Sequence, residues 1–206
     1  MLSPHPTWLV LSLICLLSYF LGCLNTGYYL VKMLTKQDIR DHASGNAGSR
    51  NAGRVLGKRG FAITLLGDAG KGALAIWLTQ QLGGNWESIA ALCAAIIGHI
   101  WPLQLNFRGG KGLATLLGGL LLLKPWLLAA ACGLALLFIA LPYTRPNAGL
   151  LTLLCSPALL ALEMLHQPSF QTLEFCGYSF ALLLVLSAHR ENFRQSLFST
   201  RPSHTP

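Results

Sequence analysis

Residues 8–33 read WLVLSLICLLSYFLGCLNTGYYLVKM, with no charged side chain before Lys32. A helix that crosses a bilayer needs about 20 consecutive apolar residues. This stretch meets that length, so it decides the solvent of the fold, which is lipid. Its opening, Trp8–Leu24, is short enough to imitate a signal peptide, but no positive residues stand before it and no small-residue cleavage site leads into a polar body. We read it as a first span that stays.

The rest of the chain repeats the pattern. Apolar runs at Gly60–Leu82, Trp86–Leu103, Lys111–Leu123, Trp126–Leu141, Ala148–Leu165 and Thr172–Ala188 alternate with short polar turns. The expected fold is all-α: a polytopic helical membrane protein of about seven transmembrane helices. We expect one domain over residues 1–206, with 198–206 a disordered tail. The fourth run is short, and Lys124-Pro125 ends it. Pro157 is expected to kink the sixth. Only 11% of the 206 residues are charged, against about 25% in soluble domains, too little to cover a globule in water.

The net charge of +8 is distributed unevenly. Loops one, three and five and the C-terminal segment share one side. They carry Lys36, Arg40, Arg50, Arg54, Lys58, Arg59, Arg108, Arg145, Arg190, Arg194 and Arg201; the other side carries only Lys124. Positive charge is retained on the cytoplasmic side, so the N-terminus is expected outside and the C-terminus in the cytoplasm; five spans with two re-entrant segments would give the same sides. No basic–aromatic stripe lies outside the spans to stack bases, so a nucleic-acid partner is not expected. The six cysteines lie in apolar stretches without CxxC spacing, and no histidine pair has metal spacing. No metal or cofactor is expected.

Three basic, glycine-bearing clusters fall on the charged side. The first is Asp38-Ile-Arg-Asp-His-Ala-Ser44-Gly45-Asn46-Ala-Gly48-Ser-Arg50-Asn51-Ala-Gly53-Arg54. Its glycines allow close backbone approach. Ser44, Asn46 and Asn51 can donate hydrogen bonds, and Arg40, Arg50 and Arg54 offer planar forks suited to phosphate. If its end is helical, Arg50 and Arg54 share a face. The bland alternative is a flexible loop lying on anionic lipid. The second cluster is Phe107-Arg108-Gly109-Gly110-Lys111-Gly112. Placed before a helix, its amides would favour an anion. Leu113 stands where a nucleotide-binding P-loop has a hydroxyl, so nucleotide hydrolysis is rejected. The third is His189-Arg190-Glu191-Asn192. Asp68 and Lys71, three residues apart inside the second run, can neutralise each other and are expected to support the spans, as a lone charge there is costly. His99, at a span end, reads as a satisfied hydrogen-bonding residue rather than a base. No Ser-His-Asp order appears, and no histidine is followed by Asp five residues on, the mark of many acyl-CoA-dependent acyltransferases.

Taken together, Asp-Ile-Arg…Ser-Gly-Asn, then Gly-His-Ile-Trp-Pro…Phe-Arg-Gly-Gly-Lys-Gly, then His-Arg-Glu-Asn resemble the bacterial acyl-phosphate:glycerol-3-phosphate acyltransferases, the PlsY family. The resemblance runs from about residue 21 to 197. It implies transfer of a fatty acyl group from acyl phosphate to the 1-hydroxyl of glycerol 3-phosphate, giving lysophosphatidic acid and phosphate without acyl-CoA or metal. It implies a bacterial cytoplasmic membrane, a cytoplasmic site and a functional link to an enzyme that makes acyl phosphate. Carried over by position, Ser44, Gly45, Asn46, Gly48 and Asn51 would hold the acyl phosphate. Arg54, Lys111, His189 and Asn192 would bind glycerol 3-phosphate, with Lys111, His189 and Arg54 as the catalytic set. Asp68, Lys71, Gly109, Gly110, Gly112, Arg190 and Glu191 would support them. The chain departs from the pattern at Cys23 and Asn25, where Ser and Pro are common, and at Ala43. It departs again at Ser49-Arg50, in place of Ala-Thr, and around residues 145–151, where Pro146-Asn147-Ala148-Gly149 replace serines. A phosphate-binding paralog without activity and an organic-phosphate transporter are the rival readings. A transporter should show internal repeats, and none is present.

Overall fold

In a computed structural model, residues 8–81, 84–144, 147–166, 172–192 and 194 are described. The turns expected at Gly83, at Arg145-Pro146 and at 167–171, and the tail at 198–206, lie wholly or partly outside them. The described residues form eight α-helices: α1 (Trp8–Cys23), α2 (Thr26–Thr35), α3 (Ser49–Gln80), α4 (Asn85–Ile100), α5 (Leu113–Leu123), α6 (Pro125–Ala140), α7 (Ala148–His166) and α8 (Thr172–Ala188). Four helical stretches, Trp8–Thr35, Ser49–Gln80, Asn85–Leu105 and Ala148–Leu165, are long and apolar enough to cross a membrane. Three shorter apolar helices accompany them. Leu66, Trp126, Leu165 and many other large apolar side chains lie on the outer surface, far more than a water-facing surface tolerates. The chain is a multi-pass helical membrane protein.

The central pillar is α4. It packs against α1, α3, α5 and α8, and Ile89, Leu92 and Ile96 are fully buried. Because lipid tails are as apolar as leucine, helices in a membrane associate through close packing and hydrogen bonds. Small residues supply the closeness. A side chain on Gly22 would overlap the Ala95 backbone, and one on Gly98 would overlap Tyr19, so α1 and α4 touch main chain to main chain. Gly72 against Thr115 and Gly118 against Ala69 bring α3 and α5 together in the same way.

Two boundaries differ from the sequence reading. The first run is two helices, broken at Leu24-Asn25. The break persists because charges from elsewhere in the chain satisfy it. Lys71 Nζ on α3 donates to the carbonyls of Gly22 (2.9 Å) and Leu24 (3.1 Å), at the end of α1. Asp68 Oδ1 accepts the amide of Thr26 (3.3 Å), at the start of α2. Each charge thus meets the helix end of opposite polarity, and the two pair at 3.1 Å. His99 Nδ1 lies 2.6 Å from the ammonium, which only donates, so the imidazole accepts there. Asp68, Lys71 and His99 are therefore a staple across the break.

Lys71→Met should cost about 3–5 kcal/mol, since it strands a buried carboxylate. A lowered melting temperature in detergent checks this, and Asp68→Asn added to Lys71→Met should recover part of the loss. A wild-type melt for the single variant would rule the staple out.

The second difference concerns the long polar segment before the second run. Its end is helical: α3 begins at Ser49, so Arg50 and Arg54 do lie one turn apart. Gly57, with φ 69°, interrupts α3 and folds residues 49–56 back over 60–61, so that Gly53 faces Phe61. In α7, the Leu153 carbonyl that Pro157 leaves without its helix partner takes the Ser156 hydroxyl (2.6 Å). The helix runs on through the proline. The fourth run is short as read. Its eleven residues, at about 1.5 Å each, span about half of a hydrocarbon core of about 30 Å.

Candidate active site

The first cluster is an ordered loop. Val31, Ile39, Ala47 and Ala52 form a small core of their own beneath it, flanked by Tyr28, Val55 and Leu56. Asn51 is its hub. Fully buried, its amide donates to the carbonyls of Ile39 (2.8 Å), His42 (3.0 Å) and Asn46 (2.9 Å). Asn46 Oδ1 accepts the amide of Gly48 (3.0 Å), and Gly45 turns the chain with φ 64°. The donors of Asn51 and Gly48 are thus spent within the loop. Ser44 and Gly45 are exposed, and the Ser44 hydroxyl has no hydrogen bond among the described residues.

Arg40, read from the sequence as a phosphate fork, has other work. It grips Asp38 at 2.6 Å and donates to the carbonyls of Leu105 (2.8 Å) and Arg108 (3.3 Å), with its guanidinium over the Tyr28 ring. It clamps the first loop to the turn that carries the second cluster. The hydrogen-bonded Arg40 beside Asp38 holds that carboxyl below the ordinary carboxylate range.

Two of the three glycine amides of the second cluster are committed within the fold and so are not free to cradle an anion. The Gly109 amide donates to the Ile100 carbonyl (3.0 Å) and the Gly110 amide to that of His99 (2.9 Å). Both glycines are required by contact, because a side chain on either would overlap His99 or Pro102. Gly112, at φ 78°, then turns the chain into α5. The glycines dock the turn on the end of α4 and so fix where Lys111 emerges.

Lys111 reaches the third cluster, its ammonium donating to Asn192 Oδ1 in a short hydrogen bond across 81 positions of sequence. His189, buried at the end of α8, has Nδ1 2.8 Å from the Val185 carbonyl. A carbonyl only accepts, so Nδ1 carries the hydrogen and Nε2 keeps its lone pair in the neutral ring. Burial first, then the positive charges of Lys111 and Arg50, hold this imidazole below its ordinary value, against the pull of the Val185 bond. Burial and Arg50 likewise lower Lys111, while Glu191 opposes them. Arg190 and Glu191 are exposed.

Lys111, His189 and Asn192 are therefore brought together as expected. Arg54 lies exposed one turn beyond Arg50. Arg50 itself, left out of the expected site, acts electrostatically on both Lys111 and His189. Its signal in the sequence was the four-residue spacing to Arg54. Among the described residues no group of three or more His, Cys, Asp or Glu could hold a metal ion.

Comparison with known proteins agrees over nearly the whole chain. Residues 12–199 match the family described as glycerol-3-phosphate acyltransferase. Glycerol-3-phosphate acyltransferase 1 of Desulfitobacterium hafniense (strain Y51) is 44% identical over 181 residues, 87% of each chain. A glycerol-3-phosphate acyltransferase of Pseudomonas paraeruginosa (strain DSM 24068 / PA7) is 38% identical, over 93% of this chain and 98% of that one. The fold is similar to the crystal structure of PlsY (YgiH), an integral membrane glycerol 3-phosphate acyltransferase, in its glycerol 3-phosphate form. The TM-score is 0.81 at 23% identity, over 91% of this chain and 92% of that one. Its lysophosphatidic acid form gives 0.77 at 24%.

Proposed function

The chain belongs to the glycerol-3-phosphate acyltransferase family, and from that premise we propose that it transfers a fatty acyl group from acyl phosphate to the 1-hydroxyl of glycerol 3-phosphate. The observation that carries the reading is the meeting of Lys111 with Asn192 beside His189 and Arg50. Relatives named for acylating glycerol 3-phosphate cover most of the chain, which supports the acceptor.

Both substrates carry phosphate, and their mutual repulsion must be offset before the hydroxyl can approach the carbonyl. Lys111 and Arg54 supply positive charge for that, and orientation supplies much of the remaining rate. The acyl phosphate is a mixed anhydride, already activated, so no protein nucleophile is required. The 1-hydroxyl oxygen bonds to the acyl carbon, the carbon–oxygen bond to phosphate breaks, and the hydroxyl proton leaves with the phosphate oxygens. His189, with its hydrogen on Nδ1, offers Nε2 to accept a hydrogen bond from glycerol 3-phosphate and orients it. Asn192 holds the Lys111 ammonium and adds an amide donor. Ser44, Gly45 and Asn46 receive the acyl phosphate, and Asn51 and Gly48 serve it by fixing the loop. The reaction uses no metal or cofactor.

The charge bias supports an outer N-terminus and a site facing the cytoplasm of a bacterial inner membrane. There the soluble acceptor and a membrane-borne acyl chain can meet, supplied by an enzyme that forms acyl phosphate. The test is a donor comparison with labelled glycerol 3-phosphate and purified protein in lipid. Lysophosphatidic acid should form from acyl phosphate and not from acyl-CoA. Equal product from acyl-CoA would falsify the donor assignment.

A further inference from the structure

Arg50 stands in the first turn of α3, and its guanidinium has no hydrogen bond or ion pair among the described residues. The residue is exposed and its guanidinium lies over the start of α7, where a side-chain carbon on Gly149 would stand 3.5 Å from Nη2. The first amides of α7 point positive partial charge toward that end. Lys111 and His189 lie within its electrostatic reach, and Glu191 is the acidic group that acts on Lys111. Basic groups and a helix start gathered this way repel one another in the empty protein. An anion among them attracts each of them and offsets that repulsion. A guanidinium fork matches two phosphate oxygens at once.

We propose that Arg50 is a substrate-contacting residue, whose fork, seated against the first turn of α7, grips together with Lys111 the phosphate group of one of the two substrates. By the family resemblance Arg50 stands in place of the usual threonine, so the grip is additional to the contacts that the resemblance assigns. The assignment to a substrate rests on the acyl-transfer reading. The binding of phosphate does not.

Arg50→Gln and Arg50→Lys in purified full-length protein test the proposal by two independent measurements. The first is the rise in melting temperature given by inorganic phosphate and by glycerol 3-phosphate, which needs no turnover. The second is the KM for each substrate. Arg50→Gln should lose most of the phosphate-induced rise, or raise one KM by about 10- to 100-fold, the usual range for a hydrogen bond to a charged group. Arg50→Lys, which keeps the charge without the fork, should fall between. A higher KM for glycerol 3-phosphate alone assigns the acceptor's phosphate, and one for acyl phosphate alone assigns the donor's. Without ligand, the Gln variant should melt no lower than wild type, because it relieves repulsion. Wild-type ligand shifts together with wild-type KM values overturn the proposal, whether or not the unliganded melt falls. If the wild-type protein makes no lysophosphatidic acid, the reaction fails as a reading, and the phosphate-induced shift still decides Arg50.

Discussion

In Lys111→Ala protein, turnover of glycerol 3-phosphate should fall by about 10²- to 10³-fold, the usual cost of removing a charge-stabilising donor from a preorganised site. The KM for glycerol 3-phosphate should rise as well. The ammonium is half-buried, held by Asn192 and placed by a turn whose two glycine amides are tied to α4. That rigidity makes its loss hard to replace. Lys111→Arg should not restore the rate, because a planar fork cannot occupy the place of a compact ammonium without moving Asn192. Asn192→Ala should reproduce part of the defect. The double variant should be less impaired than the product of the singles, since the two residues act through one bond. The measurement is steady-state kinetics with each substrate varied in turn. Wild-type kinetics for Lys111→Ala would take Lys111 out of the site.

What could be read from the sequence, and what could not, follows from the range of each interaction. Apolar runs report helices because hydropathy is local, and the runs at Trp86–Leu103 and Thr172–Ala188 correspond closely to α4 and α8. The break at Leu24-Asn25 was hidden because the groups that satisfy it, Asp68 and Lys71, lie more than forty residues away. Hydropathy averages across it. Donor lists mislead for the same reason. Asn51, Gly109 and Gly110 all look free in sequence, yet each is committed to a carbonyl that only folding brings near. The clusters around Lys111 and His189 were legible through their family resemblance, and the Lys111–Asn192 bond joins them. Arg50 was the reverse. Its residue type and its spacing to Arg54 marked it as a phosphate fork, but it departs from the resemblance and so was left out of the expected site; its place beside Gly149 brings it back.

These placements divide the site's polar residues into those that hold the scaffold and those left with unspent capacity. The donors of Arg40, of the Asn51 side chain and of the Gly109 and Gly110 amides are taken up by backbone or neighbouring side chains. Arg50, Arg54 and Ser44 make no side-chain hydrogen bond or ion pair among the described residues. All three are exposed, so their groups are met by exchangeable water and stay available to substrate, and chemistry is sought among them, with Lys111 and His189, rather than among the residues most deeply hydrogen-bonded.

Activity should follow a bell-shaped pH profile, and His189 should carry part of its acid side. The ring is needed neutral, because only then does Nε2 accept a hydrogen bond while Nδ1 donates to Val185. Its folded value lies below 6.5, so protonation, and with it the loss of the acceptor, begins only as pH falls below that point. The substrates' own phosphates titrate nearby, with second ionisations at about 6. The acid limb of the wild-type protein should therefore steepen toward two protons. His189→Gln keeps an acceptor oxygen but cannot titrate. It should retain reduced activity, down by about 10- to 100-fold, with an acid limb of one proton only. The alkaline limb should lie below 10.5, because burial and Arg50 favour loss of the Lys111 proton. It should persist in His189→Gln and move upward in Arg50→Gln. Log kcat/KM against pH for the three proteins decides the matter. An acid limb in His189→Gln as steep as that of the wild type would assign both protons to substrate and leave His189 without a titrating role.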